Sequence, residues 1–100
     1  PAKFCDENKR TIYNTTIDGT LNFNLCLFYN DDVDIVNVNI QKMSYEWQVA
    51  LVNESYLLLH INIDNIHESL AGDHTIEITV VNARTFRTQR LNRTLTLFFR

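Results

Sequence analysis

An antiparallel, all-β sandwich is the fold this sequence predicts, and three observations carry that reading. Apolar and polar residues alternate with a period of two along most of the chain. β-Branched and aromatic residues crowd the alternating runs, as a half-buried pleated surface favours. Short polar breaks such as "DG", "NDD" and "AGD" separate the runs, each of which has one apolar face to bury. There is no internal repeat, low-complexity tract or linker, so the 100 residues, 1–100, read as one domain.

The runs follow in order. "GTLNFNLCLFYN" places Leu21, Phe23, Leu25 and Leu27 on one face, with Asn22, Asn24 and Cys26 on the other. "VDIVNVNIQ" sets Val36, Val38 and Ile40 against Asn37, Asn39 and Gln41, and "YEWQVALV" adds Trp47, Val49 and Leu51. "YLLLHINIDNI" sets Leu57, Leu59, Ile61 and Ile63 opposite Tyr56, Leu58, His60 and Asn62. "NIHESLAG" has room for one helical turn at most. "HTIEITVV" gives His74, Ile76, Ile78 and Val80 against Thr75, Glu77 and Thr79, and "NRTLTLFF" turns Leu95, Leu97 and Phe99 inward.

Composition narrows the function classes. The chain is 45% apolar and 21% charged, with a formal charge of -3, and that mild acidity gives no electrostatic reason to expect nucleic acid or an anionic membrane. No apolar run approaches the roughly 18 residues of a membrane span, so this fragment is not expected to insert directly. Beginning "PAKFC" without a methionine, it reads as a mature or excised piece.

Cys5 and Cys26 are unrelated thiols in a cytosolic chain and a disulfide in a secreted one. The sequons "NTT" at Asn14, "NES" at Asn53 and "NRT" at Asn92 favour secretion. Three is a small excess over the roughly 1.6 that 12 Asn and 13 Ser plus Thr give by chance, but each lies in a polar break or at a returning hairpin, where a sugar displaces no core residue. With only two cysteines, a secreted chain pairs Cys5 with Cys26. Alternation points Cys26 away from the core, so the bridge ties the leading segment to a sheet edge.

In "LLLHINIDNIHESLAGDHTIEITVV", Gly72, His74 and Ile76 occupy the glycine, tyrosine and cysteine slots of the Asp-x-Gly-x-Tyr-x-Cys motif of immunoglobulin-like domains. "GTLNFNLCLFYNDDVDIVNV" then supplies the second and third strands, with the third-strand tryptophan replaced near Val38. With "NDDVDIV" and the hairpin "ITVVNARTFRTQRLNRTLTLFF", the stretch from Gly19 to Phe99 resembles the amino-terminal variable-type domain of lymphocyte adhesion receptors, the erythrocyte-rosette receptor and signalling lymphocytic activation molecule family. A virus-encoded immunoglobulin-like glycoprotein departs from that pattern in similar ways. The resemblance implies an immunoglobulin-like sandwich of the variable type without the usual inter-sheet disulfide, its place filled by Leu25 and Ile76.

It also implies a binding face on the third, sixth and seventh strands. Arg84, Phe86, Arg87 and Arg90 project from the last hairpin, with Asn37, Asn39, Gln41, Glu77 and Thr79 across the sheet and Lys42, Tyr45 and Glu46 just beyond. Mixed charge with a few aromatics suits a fast, specific and fairly weak protein contact. The expected activity is a cell-surface or secreted recognition module, a host receptor or a viral mimic. Its partner is a cell-surface protein, another immunoglobulin-like domain or a second copy in a weak homodimer. The alternative is a spacer domain of a larger glycoprotein, because solvation alone also explains a polar face. No cofactor is implied. His60, His67 and His74 recur every seven residues, but on strands that spacing scatters them, so they are not read as metal ligands. Asp31, Asp32, Asp34, Asp64 and Asn65 offer oxygens to calcium without a full ligand set, and a solvated turn accounts for them. No nucleophile accompanies Asp73 and His74, so no enzyme activity is expected.

Overall fold

The computed structural model describes residues 2–6, 10–28 and 33–99. Among these are eight strands: β1 (Lys3–Phe4), β2 (Arg10–Thr15), β3 (Gly19–Phe28), β4 (Val33–Ile40), β5 (Ser44–Val52), β6 (Tyr56–Ile66), β7 (Gly72–Asn82) and β8 (Thr88–Phe99). One 3-10 turn, Glu68–Leu70, sits before β7, where the sequence allows a single turn. The strands form two four-stranded sheets, sheet A in the order β1-β3-β6-β5 and sheet B in the order β2-β8-β7-β4. All pairings are antiparallel except β2 with β8. The all-β sandwich expected from the alternation is therefore what the chain forms. Only Gln41–Met43 join β4 to β5, and the chain changes sheets there, so the two extra strands that a nine-strand variable-type domain carries at this point are absent.

The core lies between the sheets. Leu21, Phe23, Leu25 and Leu27 of β3 and Leu57, Leu59, Ile61 and Ile63 of β6 are buried, as are Val38, Ile40, Ile76, Ile78, Val80, Leu95 and Leu97 of sheet B. Each such side chain contributes about 1.5–3 kcal/mol on leaving water. Leu25 and Ile76 come one from each sheet and are both buried, so aliphatic packing fills the space an inter-sheet bridge would otherwise span.

Two expected faces break at bulges. A register shift between Ile35 and Asn37 leaves Val36 exposed, so the inward line of β4 is Val33, Ile35, Val38 and Ile40. A shift between Val49 and Leu51 interrupts β5, and of the expected Trp47–Val49–Leu51 line Trp47 packs against the core while Val49 is 41% exposed.

The leading segment clips both sheets. β1 pairs with β3, and Cys5 continues the register to Cys26, with which it forms a disulfide at a Cα separation of 5.3 Å. The expected bridge thus joins two strands of sheet A at its edge. Ala2 turns the other way: its N–H donates to Gln89 Oε1 at 3.0 Å, and Gln89 Nε2 donates to its carbonyl at 2.8 Å, reaching β8 of sheet B.

Candidate functional site

Register maps the outer face of sheet B. Asn37, Thr79 and Arg90 form one cross-strand row, and Asn39, Glu77 and Asn92 form the next. The next outward positions hold Thr75 and Thr94, with Arg10 beyond them on β2. One row further, Asp73 accepts a hydrogen bond from Thr96 Oγ1 at 2.6 Å and pairs with Arg10 at 3.1 Å, linking three strands. Where β4 ends, Asn39, Gln41, Lys42, Asp73, His74, Thr75 and Glu77 line a groove of about 350 Å³. Lys42 stands there at φ 66°, in the left-handed region.

At the far end of the same sheet is the β7–β8 hairpin tip. Asn82 Oδ1 accepts from the N–H groups of Arg84 and Thr85 at 2.8 and 3.0 Å, and the Asn82 carbonyl accepts from Phe86 N–H at 2.8 Å. That turn holds Phe86 at φ 59°, the residue 79% exposed, between the exposed Arg84 and Arg87. A bulky aromatic with positive φ is uncommon. Exposing the ring as well gives up the burial that ordinarily offsets such strain.

The expected binding residues therefore form two clusters on one sheet, a groove (Asn39, Gln41, Lys42, Glu77) and a tip (Arg84, Phe86, Arg87), bridged by the Asn37–Thr79 row. Seven residues of β7 separate the Thr75 and Asn82 levels, roughly 23 Å of strand. Two expected members lie elsewhere because β5 belongs to sheet A. Glu46 is on the outer face of that sheet and lines a second groove of about 190 Å³ with Asn22, Trp47, Gln48, His60 and Asn62. Tyr45 is half-buried and donates from Oη to the Val38 carbonyl at 2.7 Å, joining the sheet edges instead of presenting itself.

Two sequons lie on the outer face of sheet B, on β2 and β8, and the third lies in a turn. Asn14 is exposed on β2, and Asn53 caps the β5–β6 turn, its Oδ1 accepting from Ser55 and Tyr56 N–H at 2.9 Å each. Asn92 is exposed directly opposite Glu77, in the middle of the candidate face. The histidines sit on separate elements: His60 bonds Asn24 at 2.8 Å, His67 caps the 3-10 turn, and Nε2 of His74 donates to the Leu70 carbonyl at 2.6 Å. Among the described residues no group of three or more His, Cys, Asp or Glu converges to hold a metal, while Asp31 and Asp32 lie outside the described residues.

Sequence reasoning overlooked Arg93. It is 5% exposed, inward-facing opposite Ile76, paired through its guanidinium with Asp6 at 2.5 Å and stacked over the Phe4 ring at 4.1 Å from its centroid. Its Nε has no hydrogen-bond partner among the described residues. Extending the Leu95–Leu97–Phe99 alternation back by one step would have found it.

No protein family and no curated protein matches the sequence. Among solved structures, a family 123 glycoside hydrolase from Clostridium perfringens, described for glycolipid glycan hydrolysis, is similar at 10% identity with a TM-score of 0.49. The match covers 92% of this chain and spans 23% of that enzyme's chain. Among the described residues no helix is long and apolar enough to cross a membrane.

Proposed function

We propose that the chain is an extracellular recognition module, part of a cell-surface receptor of type I topology or a secreted protein, that docks a cell-surface protein through the outer face of sheet B. Phe86 carries this reading, because a strained and exposed ring flanked by two arginines on a fixed tip is the composition of an interface anchor. The mixed-charge rows beside it suit steering and rejection of wrong partners.

An immunoglobulin-like assignment has independent support. The order β1-β3-β6-β5 with β8-β7-β4 is the A-B-E-D and G-F-C arrangement, and β2 joins it in parallel beside the last strand. His74, two residues before Ile76, bonds back to the Leu70 carbonyl, which is the task of the tyrosine in the usual corner. The missing pair of strands after β4 brings the domain closer to the shorter immunoglobulin plan than to the variable one. This supports an immunoglobulin-like partner, since such domains commonly meet sheet face to sheet face; a weak homodimer through the same face is the self-recognition form. Host receptor and viral mimic would share this surface.

Asn92 favours a second reading. A sugar there would stand over Glu77 and obstruct the face, leaving a spacer domain without ligand contact. Binding of the domain to a panel of lymphocyte surface ectodomains tests the choice. The recognition reading expects at least one partner, weakened by Glu77→Arg and by Arg87→Glu at unchanged Tm, whereas a spacer binds none.

A further inference from the structure

Phe98 and Ile12 are the exposed apolar residues on the β2–β8 side of sheet B, 52% and 57% accessible. They lie on one face, since Asn14 pairs with Phe98 and Ile12 with Thr96 in the parallel ladder. β7 begins at Gly72, opposite Leu97, so no β7 side chain stands beside Phe98. What does stand beside it is Asn14, exposed, one strand spacing away (about 4.8 Å) and the acceptor of the sequon Asn14-Thr15-Thr16. The other sequons lack this geometry, because Asn92 faces Glu77 and Asn53 sits in a turn.

We propose that Asn14 carries an N-linked glycan whose first N-acetylglucosamine lies on the Phe98 ring and covers Ile12, completing the surface of this sheet. The proposal rests on the extracellular reading above. In the modification, Asn14 Nδ2 exchanges a hydrogen for a bond to the anomeric carbon of a lipid-pyrophosphate-linked oligosaccharide; the lipid pyrophosphate leaves and the proton passes to solvent. The C–H face of a pyranose suits the electron-rich face of an aromatic ring, and the sugar removes both side chains from water. β2 is an edge strand, so the glycan also obstructs pairing with another chain there.

The test uses the 100-residue chain secreted from mammalian cells with Asn53→Gln and Asn92→Gln, trimmed by an endoglycosidase to one N-acetylglucosamine. Intact mass gives occupancy of Asn14. Tm is then compared with that of the Asn14→Gln protein, in the native and in Phe98→Ser backgrounds. The expected result is an occupied Asn14, a Tm gain of about 4 °C that disappears with Phe98→Ser, and upfield-shifted sugar protons in the NMR spectrum. An equal gain in both backgrounds overturns the proposal. So does an empty Asn14 in a wild-type chain that carries sugar at Asn53 or Asn92, a result that leaves the extracellular reading standing. A secreted wild-type chain with all three sequons empty overturns the proposal and removes the glycoprotein basis of that reading.

Discussion

Arg93 carries a buried charge, its guanidinium held by Asp6 as ionic partner with the Phe4 ring beneath it. Removing one partner of such a pair strands a charge, while replacing the charge with an apolar chain of similar volume does not. Asp6 is half exposed and water remains within reach, so Asp6→Ala is expected to cost about 1–3 kcal/mol in urea unfolding, whereas Arg93→Met is expected to be neutral or stabilising. An equal loss in both variants would contradict this account of the pair. Tyr13 supplies a pH signature. Burial raises its phenol pKa above the ordinary 10.0, partly opposed by the Arg93 charge. The native state keeps a proton that the unfolded chain releases, so this stabilisation is complete below pH 10 and is lost as pH rises through the raised folded value. Tyr13→Phe, which keeps the ring packed 5.1 Å from Phe23 across the sheets, is expected to flatten the alkaline limb of a stability–pH profile. At this scale the sequence was partly legible. The two-residue period points position 93 inward, but an arginine between two polar residues reads as hairpin surface until its partners on a distant segment are known. His74 likewise occupies a recognisable slot, yet its bond to Leu70 depends on the intervening turn.

Among elements, the strands were legible wherever the alternation was unbroken, as in β3, β6 and β7. The bulges in β4 and β5 were not, because one extra residue changes no composition and shifts the period only where the partner strand defines a register. The leading segment was legible in outline: the bridge to Cys26 and its position at the sheet edge follow from cysteine count and alternation. Its second attachment, Ala2 on Gln89, links residues 87 positions apart and left no local trace. The segment therefore couples a covalent tie on one sheet to an ion pair on the other. Opening the bridge by Cys5→Ser with Cys26→Ser is expected to cost about 3 kcal/mol from the freed loop, measured by thermal or urea unfolding. The cost should shrink when Arg93→Met is also present, since fraying of the segment then strands no charge. Strict additivity of the two changes would mean that the clip is not a unit.

For the whole molecule, alternation identified which side chains face outward but not which sheet each strand joins. Asn37, Asn39, Glu77 and Thr79 were correctly neighbours because β4 and β7 pair, and Glu46 was misassigned because β5 crosses to the other sheet after only three residues. The sheet A groove lined by Asn22, Glu46, Gln48 and Asn62 lies apart from the proposed recognition surface, the groove and tip of sheet B. Phe86 should be the anchor of that surface. The most direct measurement is surface plasmon resonance of the unmodified domain and Phe86→Ala over immobilised lymphocyte surface ectodomains, with Tm followed in parallel. The expected result is binding of at least one ectodomain, weakened about 30-fold or more by Phe86→Ala without a fall in Tm, the loss typical of a truncated aromatic anchor. Equal binding by both proteins, or binding by neither, would contradict the account.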